Sequence, residues 1–255
     1  MSRLGPEPRG RLSVTVLGTA SPYPRPGEPC SGYLLRAAGA AVWADAGSGT
    51  MAELQRHVGL DEVDALWISH LHPDHCTDLL AAYNWVVNAR EPRRIRVYGP
   101  PGWASRFDAV ASANGAQRFA EVFDARELHD GLTTDVNGVS LTARAVAHAV
   151  PTFGLRAECD GHVIAYSADS GPCRALTDLA EGAHVFVCEA GTKAPQTGHL
   201  TPEQAGELAT RCNVGQLVLT HLAPDLTRTE AIARARPADN TVASVTAASV
   251  ALTYG

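Results

Sequence analysis

Six consecutive residues, His70-Leu71-His72-Pro73-Asp74-His75, include four side chains able to bind a metal ion. They stand directly after an apolar run over 65–69 that reads as a strand. Imidazole combined with carboxylate suits zinc, manganese or iron. Alternate side chains of extended backbone share one side, so His70 and His72 can reach the same ion. Asp74 and His75 occupy the turn into a helix, stiffened by Pro73, and point toward a second ion. Such a loop needs a rigid scaffold that delivers further ligands to the same strand end.

Three later residues repeat that context. His148 follows the run 141–147, Asp169 follows 163–167, and His221 follows 217–220. His199 lies behind Gly198, just before a segment with Thr201 as N-cap, Pro202 at the first helical position and Glu203 in the first turn. A lone histidine is usually structural, but together with the cluster at 70–75 these residues complete two metal sites. By contrast His57, His129, His162 and His184 have no companions at ligand spacing and read as surface or capping residues.

The pattern predicts strands over 12–17, 33–36, 41–44, 65–69, 95–98, 139–147, 154–158, 163–167, 185–188 and 217–220, and helices over 51–57, 77–88, 104–113, 201–211 and 226–236. Alternation of this kind predicts layered α/β architecture with helices outside packed sheets. The chain has 255 residues, 45% of them apolar, enough for a sizeable core. No repeat or linker divides it, so one domain over 1–255 is expected, with 1–11 as a flexible N-terminus. That N-terminus is polar and lacks the apolar core of a signal peptide, and no apolar run reaches membrane-spanning length. The six cysteines form no CxxC pair and are expected as small buried residues in the reducing cytoplasm. A net charge of −6 without basic blocks argues against a broad nucleic-acid footprint.

With these residues in place, the chain resembles the metallo-β-lactamase superfamily. Within it, the ribonuclease Z-like branch and its bacterial cyclic-nucleotide phosphodiesterase relatives are the most similar. The shared marks are Ser31-Gly32-Tyr33-Leu34-Leu35, Phe153-Gly154-Leu155-Arg156, Tyr166-Ser167-Ala168-Asp169-Ser170-Gly171, Cys188-Glu189-Ala190 and His199-Leu200-Thr201-Pro202-Glu203-Gln204-Ala205. The resemblance implies a four-layer αββα sandwich with the site at one sheet edge. It implies two divalent cations, zinc first with manganese or iron as alternatives. His70, His72 and His148 would hold one, Asp74, His75 and His221 the other, and Asp169 would bridge them. Asp45 would orient the histidine loop, and a homodimer is implied. Relatives often carry glycine where Ala168 stands, and a departure in the local backbone is expected there, because alanine resists positive φ.

The implied chemistry is attack by a metal-activated water on phosphorus, with Asp74 taking the water's proton. His199, oriented by Glu189, would protonate the leaving oxygen. His148 and Asp169 lie too close in sequence to enclose a tRNA-gripping arm, which makes tRNA an unfavoured partner. A small phosphodiester such as a cyclic nucleotide is favoured, with Arg156 near its phosphate and Phe153 or Tyr23 stacked on a base. The alternatives are ribonuclease Z-like RNA processing, or hydrolysis of a lactone, thioester or lactam in a biosynthetic pathway. Fold alone does not choose among these. The His199-to-Thr201 segment favours the phosphodiester, and the full set of ligands argues against a non-catalytic binding module.

Overall fold

The computed structural model describes residues 11–37, 39–90, 93–111, 118–236 and 244–255. All of the expected N-terminal segment except Arg11 lies outside these residues, as do the last two positions of the helix expected over 104–113. In chain order the first half contains β1 (Ser13–Gly18), β2 (Gly32–Ala37), β3 (Ala40–Ala44), α1 (Thr50–Leu54), β4 (Ala65–Trp67), α2 (Pro73–Cys76), α3 (Leu79–Asn88), β5 (Arg96–Gly99), α4 (Trp103–Ala111), α5 (Phe119–Val122) and β6 (Asp124–Glu127). The second half contains β7 (Thr133–Val136), β8 (Val139–Ala145), β9 (Phe153–Cys159), β10 (His162–Tyr166), α6 (Arg174–Ala180), β11 (Val185–Glu189), α7 (Pro202–Arg211), β12 (Gln216–Thr220), α8 (Arg228–Ala235), β13 (Ser244–Ala247) and β14 (Thr253–Tyr254).

Two seven-stranded sheets result, ordered β14-β1-β2-β3-β4-β5-β6 and β13-β12-β11-β10-β9-β8-β7. Each is antiparallel at first and then parallel, over β3 to β6 in one and β10 to β13 in the other. Parallel neighbours need crossover connections, and α1, α3, α7 and α8 lie within them. Strands in the parallel runs are buried on both faces, so they read as continuous apolar segments. Their alternate residues feed separate cores. Val42, Tyr166, Val187 and Val218 pack between the sheets. Trp43, Leu66 and Val97 pack under α3 to α5. Phe186, Cys188, Leu217 and Leu219 pack under α6 to α8. Three apolar layers between four structural ones make this the αββα sandwich expected from the sequence.

This topology gathers chemistry at one edge. The carboxyl ends of β3, β4, β10, β11 and β12 point the same way, as does that of β8, which is antiparallel to β9 as β10 is. Asp45, Ser69, Asp169, Glu189 and His221 stand at or just past these ends, and His148 follows β8. Two buried hydrogen bonds tie the sheets beneath that edge: Tyr33 Oη with Thr220 Oγ1 at 2.6 Å, and Tyr166 Oη donating to Asp45 Oδ2 at 2.7 Å.

Several boundaries differ from the expectation. The strand over 65–69 stops at Trp67, because the Ser69 N–H turns out of the ladder to the Asp45 carboxylate. The helix expected over 77–88 starts two residues later, at Leu79, and a separate turn at Pro73–Cys76 precedes it. At the helix over 201–211 the expected cap forms, with Thr201 Oγ1 accepting from the Gln204 N–H. Among the described residues no helix is long and apolar enough to cross a membrane. All six cysteines are free thiols.

The turn after β3 packs directly on the histidine loop. A Cβ at Gly47 would fall far inside contact distance of the Asp74 carbonyl oxygen and 2.7 Å from that of Ser31. The Gly47 N–H bonds to that Ser31 carbonyl, so the turn cannot back away freely. Gly47→Ala is therefore expected to destabilise the protein by about 1–3 kcal/mol, the usual cost of overpacking. A lowered urea midpoint at unchanged slope checks this, and an unchanged midpoint contradicts it.

Candidate metal centre

Three histidines of the cluster are aimed by a partner on the other ring nitrogen. His75 Nδ1 donates to Asp45 Oδ2 at 2.7 Å, His148 Nδ1 donates to the Gly198 carbonyl at 2.9 Å, and His70 Nδ1 meets Ser69 Oγ at 3.0 Å. Such partners set the tautomer and leave Nε2 as the free electron pair. The freed nitrogens converge. His72 Nδ1 lies 3.1 Å from His70 Nε2 and 3.2 Å from His148 Nε2. Asp169 Oδ2 lies 3.7 Å from His70 Nε2 and 4.0 Å from His148 Nε2. A tetrahedral zinc ion with ligands near 2.1 Å separates them by about 3.4 Å, so these four atoms sit at the spacing of one coordination shell.

A second group lies alongside. His221 Nε2 is 3.3 Å from Asp74 Oδ2, and His75 Nε2 is 3.7 Å from the same oxygen. Asp169 stands between the groups, its Oδ1 3.4 Å from His75 Nε2 and its Oδ2 3.4 Å from His221 Nε2. His75 Nε2 and Asp169 Oδ1 are both fully buried with no hydrogen-bond partner. Unpaired buried polar atoms are costly, and two that face each other across 3.4 Å fit a shared cation. The donor set and its spacing thus fit two divalent ions. The seven residues at positions 70, 72, 74, 75, 148, 169 and 221 come together in the grouping expected.

Electrostatics point the same way. Burial and the neighbouring His75 push the His70 proton affinity well below the imidazole range. Burial acts against charge on His75 too, yet the carboxylates of Asp169 and Asp45 outweigh it and raise its pKa well above that range. His221 is raised despite burial by Asp169 and its bond to Asp74. Asp169 itself is held well below the carboxylate range, because His221 and His75 outweigh its burial. Protons on His75 and His221 therefore balance the buried carboxylates, and a metal ion must displace them.

Glu189 and His199 form the next layer. The Glu189 carboxylate, 1% exposed, accepts from the Ser170 N–H at 2.9 Å, the Gly191 N–H at 2.7 Å and His199 Nδ1 at 2.9 Å. Its bond holds the His199 pKa above the usual imidazole value. Asp169, His199 and His221 bring ligand atoms within 4.8 Å of one another, so the His199 ring faces the centre. His72, His148 and His199 are half-buried while the other ligands are buried, which places the mouth on their side.

Two expected substrate contacts are corrected. Arg156 is committed elsewhere, donating to the carbonyls of Leu179 and Glu181 and pairing with Glu158 at 3.0 Å. Phe153 is buried in the layer between the sheets and offers no ring to a base. Tyr23 is 59% exposed and remains accessible. Ala168 is a third correction, since it does adopt φ 53° and so keeps the left-handed turn glycine would allow. Residues the sequence reading missed are Ser69 and Tyr166, both on Asp45, and Gly191. A Cβ at Gly191 would meet Glu189 Oε2 at 2.9 Å and His199 Nδ1 and His221 Nδ1 at 3.2 Å each. Among the four other histidines, His162 packs against His184 with ring centroids 4.0 Å apart and His57 pairs with Glu53, apart from the centre.

Comparison with known proteins agrees with this fold. Residues 40–222 match the family model described as the Beta-lactamase superfamily domain. The chain is 36% identical over 235 residues to the uncharacterized protein Rv1339 of Mycobacterium tuberculosis, covering 88% of this chain and 86% of that one. It is 33% identical over 242 residues to the ribonuclease Z of Mycobacterium marinum, covering 84% and 87%. The crystal structure of the metallo-beta-lactamase fold protein YhfI from Bacillus subtilis superposes with a TM-score of 0.83 at 22% identity, covering 95% and 98%.

Removing the Asp45 carboxylate leaves His75 without its orienting acceptor. Asp45→Asn is expected to weaken metal binding about 10–100-fold, the usual effect of losing such a partner. Competition against a chromophoric chelator measures this, and wild-type affinity in the variant contradicts it. The same assay should show affinity falling as pH drops. Protons compete at His75 and His221, and because their pKa values are raised, that competition begins above the ordinary imidazole range.

Proposed function

The chain belongs to the metallo-β-lactamase superfamily, in its ribonuclease Z-like part, and from that premise we propose that this metal-dependent hydrolase is a phosphodiesterase acting on a small diester such as a cyclic nucleotide. The observation that carries the reading is the Glu189–His199 pair beside the metal centre. A nucleotide's alkoxide leaving group is poor and needs a proton, whereas the thiolate expelled from a thioester leaves without one. The pKa of His199 is raised first by its hydrogen bond to Glu189, so it holds that proton to higher pH than an ordinary imidazole. The relative named ribonuclease Z is a nuclease, and nucleases cut phosphodiesters, which supports the same bond type.

His70, His72, His148 and Asp169 would hold one cation, and Asp74, His75, His221 and Asp169 the other. When bound, the cations supply Lewis acidity toward phosphoryl oxygens and make water a better acid near neutral pH. The protein's own side chains do the rest. Asp74 is 7% exposed and held below the carboxylate range, because the hydrogen bond from His221 and the charge of His75 outweigh its burial. It can accept a proton from attacking water. Asp45 and the Gly198 carbonyl keep His75 and His148 in the tautomer that presents Nε2. Glu189 holds His199 Nδ1, so its Nε2 proton is the one available to the departing oxygen.

His199→Ala is expected to retain its metal and lose about 10²–10⁴-fold in turnover of a cyclic nucleotide, whose alkoxide leaving group needs the proton. Full turnover with metal retained removes His199 from the reaction. Glu189→Gln is expected to move the basic limb of the pH–rate profile downward, because the amide no longer holds the His199 proton to high pH. An unshifted limb contradicts that role. A panel of bis-p-nitrophenyl phosphate, cyclic nucleotides, a lactone and a thioester, each with and without chelator, tests the bond type. Turnover of the lactone or thioester alone overturns the phosphodiester assignment.

A further inference from the structure

A cavity of about 410 Å³ adjoins the strand end that carries His221. Its wall includes Thr19, Arg25, Glu28, Thr220, Leu222 and Arg228. Thr220 and Leu222 are the chain neighbours of His221. The loop carrying Arg25 and Glu28 ends against the histidine loop, where the Ser31 N–H bonds to the Asp74 carbonyl at 3.1 Å. The cavity therefore adjoins the segments that flank Asp74 and His221.

The chain carries −6 overall, yet this cavity has two guanidinium groups and one carboxylate, with every other lining side chain neutral. Glu28 accepts from Arg25 Nε at 2.8 Å and lies 3.7 Å from Arg228 Nη2. The arrangement is pre-formed. The Arg25 and Glu28 backbones exchange two hydrogen bonds of 2.9 and 2.8 Å across a tight turn, and Arg228 is the first residue of α8, whose cap is Thr227. The guanidinium groups stay reachable, with side chains 36% and 46% exposed. Two planar forks held near one carboxylate, at the positive end of a helix, match a phosphate dianion. The volume has room for a sugar or base against Leu222, Pro224 and Leu226.

We propose that this cavity binds a second, terminal phosphate on the diester substrate, held by Arg25 and Arg228. The inference rests on the phosphodiesterase reading for its substrate but on the cavity's own residues for its anion. It narrows the substrate class to diesters that also carry a phosphomonoester.

The experiment has a binding arm and a kinetic arm. Wild-type protein stripped of metal and dialysed is titrated with inorganic pyrophosphate and followed by ³¹P nuclear magnetic resonance. Arg228→Ala and Arg25→Ala are each expected to weaken binding about tenfold or more, the worth of one charge-assisted contact, with thermal melting unchanged. With metal restored, the thymidine dinucleotide bearing a 5′-phosphate should show a KM about tenfold below that of the unphosphorylated dinucleotide, and Arg228→Ala should erase the difference. Hydrolysis of bis-p-nitrophenyl phosphate should be unaffected by either substitution. Pyrophosphate binding that is absent, or indifferent to both substitutions, overturns the proposal, as does equal KM for the two dinucleotides. If no diester is hydrolysed but pyrophosphate binding still depends on both arginines, the anion site stands and the phosphodiesterase reading fails.

Discussion

A carboxylate with no solvent contact must find its hydrogen bonds inside the protein, and Asp45 finds four. Its Oδ1 accepts from the Ser69 N–H at 2.7 Å, and its Oδ2 accepts from Ser69 Oγ, His75 Nδ1 and Tyr166 Oη at 2.7 to 2.8 Å. The first bond ends β4 and starts the histidine loop. The third turns His75 toward the centre. The fourth reaches across from the other sheet. One buried side chain thus fixes where the loop begins, how one ligand is aimed and how the two sheets are set relative to each other. Removing one partner of such a group costs far more than the net worth of the bond, since the others are left around an unsatisfied charge.

The same economy runs through the centre. Ring nitrogens stand 3.1 to 3.2 Å apart with no apolar filler between them, and two buried polar atoms face each other unpaired. A packed core would not hold this arrangement for its own stability. Backbone strain collects at the same edge: Asp45, Ala168 and His221 all have φ between 53° and 55°. Left-handed backbone costs a residue with a Cβ about 1–2 kcal/mol. Its occurrence at three strand ends beside the ligands fits the tendency of strain to persist at functional sites, where surrounding structure dictates the conformation.

Much of the site was legible in the sequence because its residue types are chemically specialised and each follows an apolar strand. The loop at 70–75 announced itself, His148, Asp169 and His221 shared its context, and His199 stood just before a capped helix. The supporting residues were harder to see. Tyr166 serves Asp45 across 121 positions, and Ser69 reads as an ordinary strand end until Asp45 is known to draw its N–H away. Gly191 is needed only because three side chains crowd its missing Cβ. Phe153 and Arg156 looked like substrate contacts because they follow the third histidine. They lie on one strand an odd number of residues apart, so they face opposite sides of the sheet and cannot line one pocket together. The polar strands β6 and β7 and the short helix α6 carried too weak a periodicity to be placed from pattern alone.

The account stands on a pair of cations sharing Asp169. Crystals grown with zinc and measured at the zinc absorption edge test it most directly. Two anomalous peaks are expected, about 3.5–4 Å apart as in other two-metal hydrolytic sites, one among His70, His72 and His148 and the other among Asp74, His75 and His221. A single peak, or two that do not flank the Asp169 carboxylate, would contradict it.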